Sequence, residues 1–198
     1  MSLFRKNNFL VIYLVIIGSF NLYLQTLPLT NVFGYEFSAL NALLLSFLSG
    51  LIIISVLKSS SLEKQPTQTV YLFNIWFWML IIPFAISVGK SIVFGFCSFW
   101  DGFWFYVFVT VPSVVIGSAL GSVIHILFKK FKVLLFIILF LLMLFIPVLE
   151  IYFYPQIYLF NPLFVYFPGT IYDEGLAVDT KIVLYRIFNL IFFLPLLI

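Results

Sequence analysis

Long apolar runs, separated by short polar breaks, occupy most of this chain. Strands of a membrane barrel would alternate apolar and polar positions, and a run such as VLLFIILFLLMLFIPVL does not alternate. A helix of about 17–25 apolar residues satisfies its own backbone hydrogen bonds while it crosses a bilayer. The pattern therefore predicts an all-α, polytopic membrane bundle with six spans, at residues 9–27, 37–57, 70–88, 103–128, 133–149 and 182–198.

Composition supports a lipid environment for these runs. Hydrophobic residues make up 64% of the chain and charged residues 9%, whereas a soluble domain carries about 25% charged residues. The net charge of +3 is too small to indicate nucleic acid as a partner. One cysteine, Cys97, excludes an intrachain disulfide. We expect the lipid bilayer itself to be the main partner.

Positive charges are distributed unevenly between the two sides of the predicted bundle. Outer segments hold only Lys90 and Lys181 if the N-terminus is cytoplasmic. Lysine and arginine favour the cytoplasmic side of a membrane protein, so the pattern predicts an N-terminus inside the cell. The basic start followed by an apolar run without a small-residue cleavage site predicts an uncleaved signal anchor. The inner segments then hold seven positive residues: Arg5, Lys6, Lys58, Lys64, Lys129, Lys130 and Lys132.

Small residues recur at four-residue spacing in the fourth predicted span, in the segment IGSALGSVIH. Gly117 and Gly121 form one pair, and Ser118 and Ser122 form the other. Helical residues four apart share a face, where small side chains let a second helix approach closely. We interpret this face as a packing seam; the alternative is that it lines a path through the bundle.

The connection at 150–180 is long for a membrane hairpin. Its first half is rich in tyrosine and phenylalanine, which favour the water–lipid boundary, so we expect it to lie on the outer surface or fold back over the bundle. Its second half carries Asp173 and Glu174 after the turn signal Pro168-Gly169. We interpret these acids as solvated charges. General acid/base catalysis or metal binding is the alternative, and it requires a pocket and a further positioned group.

Charged residues near the predicted outer face form a candidate functional cluster. The connection at 89–102 is expected to be a short turn in the headgroup layer; the alternative is a re-entrant dip into the membrane. Arg186 lies about one turn into the last span, where its side chain can extend to the headgroups; alternatively, it pairs with an acid and pins the last helix to the outer loop. The candidate cluster comprises Lys90, Asp101, Glu150, Asp173, Glu174 and Arg186.

Metal ligands are scarce in this sequence. The single histidine, His125, is near the inner end of its predicted span, and the single cysteine is outside. A zinc site needs three or four ligands, and the hydrocarbon layer of about 30 Å separates His125 from the outer acids. We predict neither a metal site nor a cofactor.

Two segments resemble the multi-span N-terminal membrane regions of uncharacterised bacterial membrane proteins: FNPLFVYFPGTIYDEG and CSFWDGFWFYVFVTVPSVVIGSALG. Some of those proteins carry an extracytoplasmic peptidase-like domain further along. The resemblance implies that this chain is the membrane part, in a bacterial inner membrane, and that the chemistry lies elsewhere; H-E-x-x-H does not occur here. The apolar end at Ile198 is interpreted as part of a longer polypeptide, or as a helix that just reaches the inner interface.

Three functions fit the sequence. Few ionisable residues occur within the predicted spans, which favours a non-catalytic membrane module: an anchor, scaffold or subunit that presents the aromatic, acidic outer loop to other subunits or an attached domain. The alternative is a small permease or permease subunit. A further alternative is an outer-face enzyme that modifies lipids, which requires the acids of the candidate cluster to converge.

Overall fold

A computed structural model describes residues 2–59, 65–94, 98–153, 159–167 and 178–197. This part of the chain is mostly helical, as the uniformly apolar runs predicted. Its helices include three stretches long and apolar enough to cross a membrane, which is consistent with an integral membrane protein. These stretches are Tyr35–Leu57, Leu72–Val93 and Phe99–Leu127, and shorter apolar helices occupy Leu10–Leu24 and Lys132–Pro147.

Helices and one β-hairpin follow each other along the chain. A π-helical turn, Tyr106–Thr110, joins α4 to α5 without a break, and a short 3-10 helix, Leu194–Leu196, follows α7. The strands pair antiparallel with Phe160 opposite Tyr166. The bounds are α1 Ser2–Leu24, α2 Tyr35–Ser59, α3 Gln65–Phe94, α4 Phe99–Phe105, α5 Val111–Leu127, α6 Lys132–Phe153, β1 Leu159–Asn161, β2 Val165–Phe167 and α7 Thr180–Phe193.

The connection predicted at 89–102 is largely helical instead. Helix α3 continues through Gly89 and Lys90 to Phe94, and α4 begins at Phe99. Lysine is a good helix former, and the Lys90 Nζ donates a hydrogen bond of 2.5 Å to the carbonyl of Gln25, just beyond the C-terminus of α1. The positive charge of Lys90 also interacts favourably with the partial negative charge at the C-terminus of α1.

The region predicted as the loop 150–180 contains two regular elements among its described residues. Helix α6 extends to Phe153, and the β1–β2 hairpin departs from the all-α prediction. Asp179 begins α7 by accepting a hydrogen bond of 2.9 Å from the backbone amide of Ile182. The last predicted span, 182–198, is helical only to Phe193 before the 3-10 turn, because Pro195 has no amide hydrogen to continue the α-helix.

Helix α5 forms the centre of the packed chain. Every residue from Pro112 to Ser122 is buried, and α2 packs along its length. Gly117 lies against Ser46, and Gly121, one turn later, lies against Gly50. Residue numbers therefore increase in the same direction along both helices, so the helices run parallel. A helix that is apolar on all sides is expected to be surrounded by other elements rather than by one neighbour.

Candidate functional site

The last helix places an arginine inside the protein. Four residues of α7 are buried, at the spacing of a single helical face: Ile182, Arg186, Asn189 and Phe193. Arg186 is only 1% exposed and ranks among the largest fully buried side chains. Extension of its guanidinium to the headgroups, which the sequence suggested, is therefore wrong: other parts of the chain enclose the group.

The guanidinium donates to backbone carbonyls of two other elements. Its Nη1 donates to the carbonyl of Pro162 at 2.5 Å. Its Nη2 donates to the carbonyls of Val109 at 2.9 Å and Leu163 at 3.3 Å, and to the Ser113 hydroxyl at 3.0 Å. One arginine thereby joins α7 to the hairpin turn and to the junction between the π-helical turn and α5.

Ser113 reinforces the same junction. The single proton of its hydroxyl is shared between the carbonyl of Val109, at 2.7 Å, and the carbonyl of Leu163. Val109 belongs to the π-helical turn, a rare geometry that is frequent at functional sites. We call Arg186, Ser113 and the carbonyls of Val109, Pro162 and Leu163 the arginine clamp.

The turn of the hairpin enters the bundle instead of resting on top of it. The Asn161 side-chain amide donates to the carbonyl of Met143 at 3.1 Å, and its oxygen accepts from the amide of Leu163 at 2.7 Å. Met143 lies eleven residues, or ~16 Å, from the start of α6 at Lys132, near the middle of that helix. Leu163 is completely buried in a cluster with residues of α5 and α6.

The arginine clamp supplies hydrogen-bond donors to the buried carbonyls of the hairpin turn. Non-helical backbone at membrane depth is tolerated only where protein or a water-filled cavity satisfies its polar groups. The carbonyls of Pro162 and Leu163 accept hydrogen bonds from the Arg186 guanidinium. The Phe164 carbonyl accepts a hydrogen bond of 3.4 Å from the Tyr35 hydroxyl. Arginine suits this task because its guanidinium has five donors and is more weakly hydrated than an ammonium.

The other predicted outer-face residues have separate partners where they are described. Lys90 bonds to the end of α1, and the Asp101 carboxylate bonds to the Ser98 hydroxyl at the start of α4. Within the described part of the chain, no ion pair joins these two residues to each other or to Arg186. The side chain of Glu150, and Asp173 and Glu174 altogether, lie outside the described residues.

The small residues of α5 face several neighbours. A Cβ atom on Gly117 would lie 2.7 Å from Cα of Ser46, and one on Gly121 would lie 2.9 Å from Cα of Gly50. These two glycines therefore meet α2, with no room for a side chain. The serines bond elsewhere: Ser118 accepts from Trp76 Nε1 at 3.1 Å, and Ser122 donates to the carbonyl of Leu196 at 2.7 Å.

Two features of the sequence accompany the clamp. Asn161-Pro162 is a turn dipeptide, and Arg186 lies on the same helical face as Asn189, so a buried arginine beside a turn was conceivable. The sequence suggested acids as partners of Arg186, whereas the structure supplies carbonyls. His125 lies in the last turn of α5, and among the described residues no three His, Cys, Asp or Glu side chains form a possible metal site.

Comparisons with known proteins returned no counterpart. No protein family, curated protein or solved structure matches this chain. The geometry of the chain itself is therefore the basis for its proposed function.

Proposed function

We propose that this chain is a non-catalytic membrane module, an anchor, scaffold or subunit, that holds its extracytoplasmic loop in a fixed position on the bundle. The observation that carries the proposal is the arginine clamp: a deeply buried cation directs its hydrogen bonds to the backbone of its own chain. A substrate site would instead be expected to leave such donors facing a cavity.

The module has six spans and a cytoplasmic N-terminus in this proposal, and it lies in a bacterial inner membrane. The lysines between α5 and α6 then face the cytoplasm, and Asp179 faces outward. The acidic segment around Asp173 is extracytoplasmic in the proposed topology, where an attached domain or another membrane subunit would bind it.

Cysteine labelling tests the proposed sides of the membrane. In a Cys97→Ser background, Asp179→Cys is expected to react with a membrane-impermeant thiol reagent applied to intact cells. Lys130→Cys is expected to react only after the membrane is permeabilised. Both positions are exposed, so each should react readily once the reagent reaches its side. Labelling of Lys130→Cys in intact cells would refute the topology without bearing on the clamp.

A small permease is the alternative, and one observation favours it. Nε of Arg186 is a buried donor without a hydrogen-bond partner among the described residues, as expected of a group that lines a transport path. The packing interpretation and the transport interpretation of the serines on α5 differ in whether water reaches Ser118 and Ser122.

Accessibility of the bundle interior separates these two functions. We expect Ser118→Cys and Ser122→Cys, introduced singly into the Cys97→Ser protein, to stay unmodified by a small water-soluble thiol reagent in proteoliposomes. Both serines are buried, and a cysteine occupies nearly the same volume. Asp179→Cys serves as the reactive control. Modification of either buried cysteine in folded protein would support a water-filled path and contradict the scaffold.

A further inference from the structure

The turn between α5 and α6 is a short, exposed and strongly basic segment. It consists of residues 128–131, and α6 starts directly afterwards at Lys132. Lys129 and Lys130 are exposed and Lys132 is half-buried. The Cα atoms of Lys129 and Lys132 are at most ~11 Å apart, because three residue steps span no more than ~3.6 Å each. The three ammonium groups can therefore surround one small anionic group.

An aromatic residue sits in the middle of these lysines. Phe131 is 75% exposed, and its φ of 56° lies in the left-handed region. A large side chain rarely adopts that conformation, and such outliers concentrate at functional positions. The preceding residues Ile126, Leu127 and Phe128 are exposed as well. The segment thus joins an apolar surface to a cluster of cations.

No described acid lies near this turn. Glu36, Asp101 and Asp179 stand at the starts of α2, α4 and α7. These helices run parallel to α5, because Gly121 meets Gly50 in α2, and Ser122 bonds to Leu196 after α7. The described carboxylates are therefore at the opposite end of the bundle, and Asp101 is ~40 Å from Lys129 along the helical stretch that joins them.

We propose that residues 128–132, the basic turn, form a binding site for the headgroup of an anionic phospholipid. The lysines contact the headgroup phosphate, and Phe131 lies among the upper parts of the acyl chains. Lysines near a membrane surface attract anionic lipid by about fivefold in affinity per residue, and an aromatic ring is favoured at the interface. This site does not depend on which side of the membrane it faces or on the scaffold function.

Lipid retention by the full-length protein tests the site. The protein is extracted from vesicles of equimolar phosphatidylglycerol and phosphatidylcholine, and the lipids that remain bound are counted by native mass spectrometry. We expect the parent to retain phosphatidylglycerol in preference to phosphatidylcholine. The triple variant Lys129→Gln, Lys130→Gln, Lys132→Gln is expected to lose that preference by at least tenfold, on the basis of about fivefold per lysine. Circular dichroism checks that its fold is unchanged.

Matched variants separate a site from a general effect of charge. The triple arginine variant at the same positions should retain the preference, and Lys90→Gln, at the other end of the bundle, should leave it unchanged. Equal retention by the parent and the triple glutamine variant would overturn the proposal. So would an equal loss in Lys90→Gln, or displacement of the bound lipid by millimolar inorganic phosphate, because the latter identifies a site for free phosphate.

Discussion

Replacing Arg186 by methionine is expected to lower the free energy of unfolding by about 2–4 kcal/mol and to release the hairpin from the bundle. The carbonyl of Pro162 loses the arginine as its donor, and the carbonyls of Val109 and Leu163 then share the single proton of the Ser113 hydroxyl as their side-chain donor. Each buried acceptor left unpaired costs about 1–3 kcal/mol. Removal of the buried charge offsets part of this, because the charge no longer has to be desolvated.

The hairpin gives a local readout that general destabilisation does not mimic. Val165 is fully buried on β2, and its φ of 75° is unfavourable for a β-branched residue. Cysteine is smaller than valine and is not β-branched, so it fits at this position. In the Cys97→Ser background, and under conditions in which the protein remains folded, a Val165→Cys thiol should be protected when Arg186 is present and should react in Arg186→Met. Arg186→Lys should fall between the two, because an ammonium has three donors and cannot reproduce the fork of the guanidinium.

Lys90→Met is the matched control for this experiment. Lys90 also donates to a backbone carbonyl, but it is only half-buried and holds a helix end. Its loss should cost about 1 kcal/mol or less and leave the Val165→Cys thiol protected. If Arg186→Met is as stable as the parent and keeps the hairpin thiol protected, the arginine is dispensable and the clamp does not hold the hairpin.

The sequence predicted the helices better than their ends. Apolar runs such as 37–57 correspond closely to α2, because a long run of Leu, Ile and Val on every face leaves no alternative in hydrocarbon. Helix α3 continues to Phe94, past the predicted span end at 88, and α4 begins at Phe99, before the predicted start at 103. The sequence predicts a connection there because it contains Gly89 and Gly102. In the structure Lys90 reaches a carbonyl of another helix, a long-range contact that no local pattern encodes.

The hairpin and the clamp were not predictable for a different reason. Strands of three residues are too short for alternation to show, and the surrounding tyrosines and phenylalanines are equally typical of the membrane interface. Arg186 was recognised as unusual, but backbone carbonyls exist at every position and cannot be singled out as partners from the sequence. The glycine spacing on α5, by contrast, drew attention to the positions where α2 approaches.

Replacing Gly121 by leucine is expected to separate α5 from α2 and lower the free energy of unfolding by about 3 kcal/mol or more, the upper part of the range for overpacking. A Cβ atom here would lie 2.5 Å from the carbonyl oxygen of Gly50 and 2.9 Å from its Cα. Both are backbone atoms, so no side chain can rotate to make room. The helices would have to move apart along the most extensive packing of the chain.

Gly18→Leu is the matched control for Gly121→Leu, since it makes the same change in a helix where a Cβ atom meets nothing within 4 Å. It should be neutral or stabilising by about 0.5–1 kcal/mol, because glycine weakens a helix interior. The two variants are compared by the yield of folded protein and by thermal unfolding in the same detergent. If Gly121→Leu unfolds at the temperature of Gly18→Leu, backbone contact between α2 and α5 does not stabilise the bundle, and the packing interpretation of this glycine face is wrong.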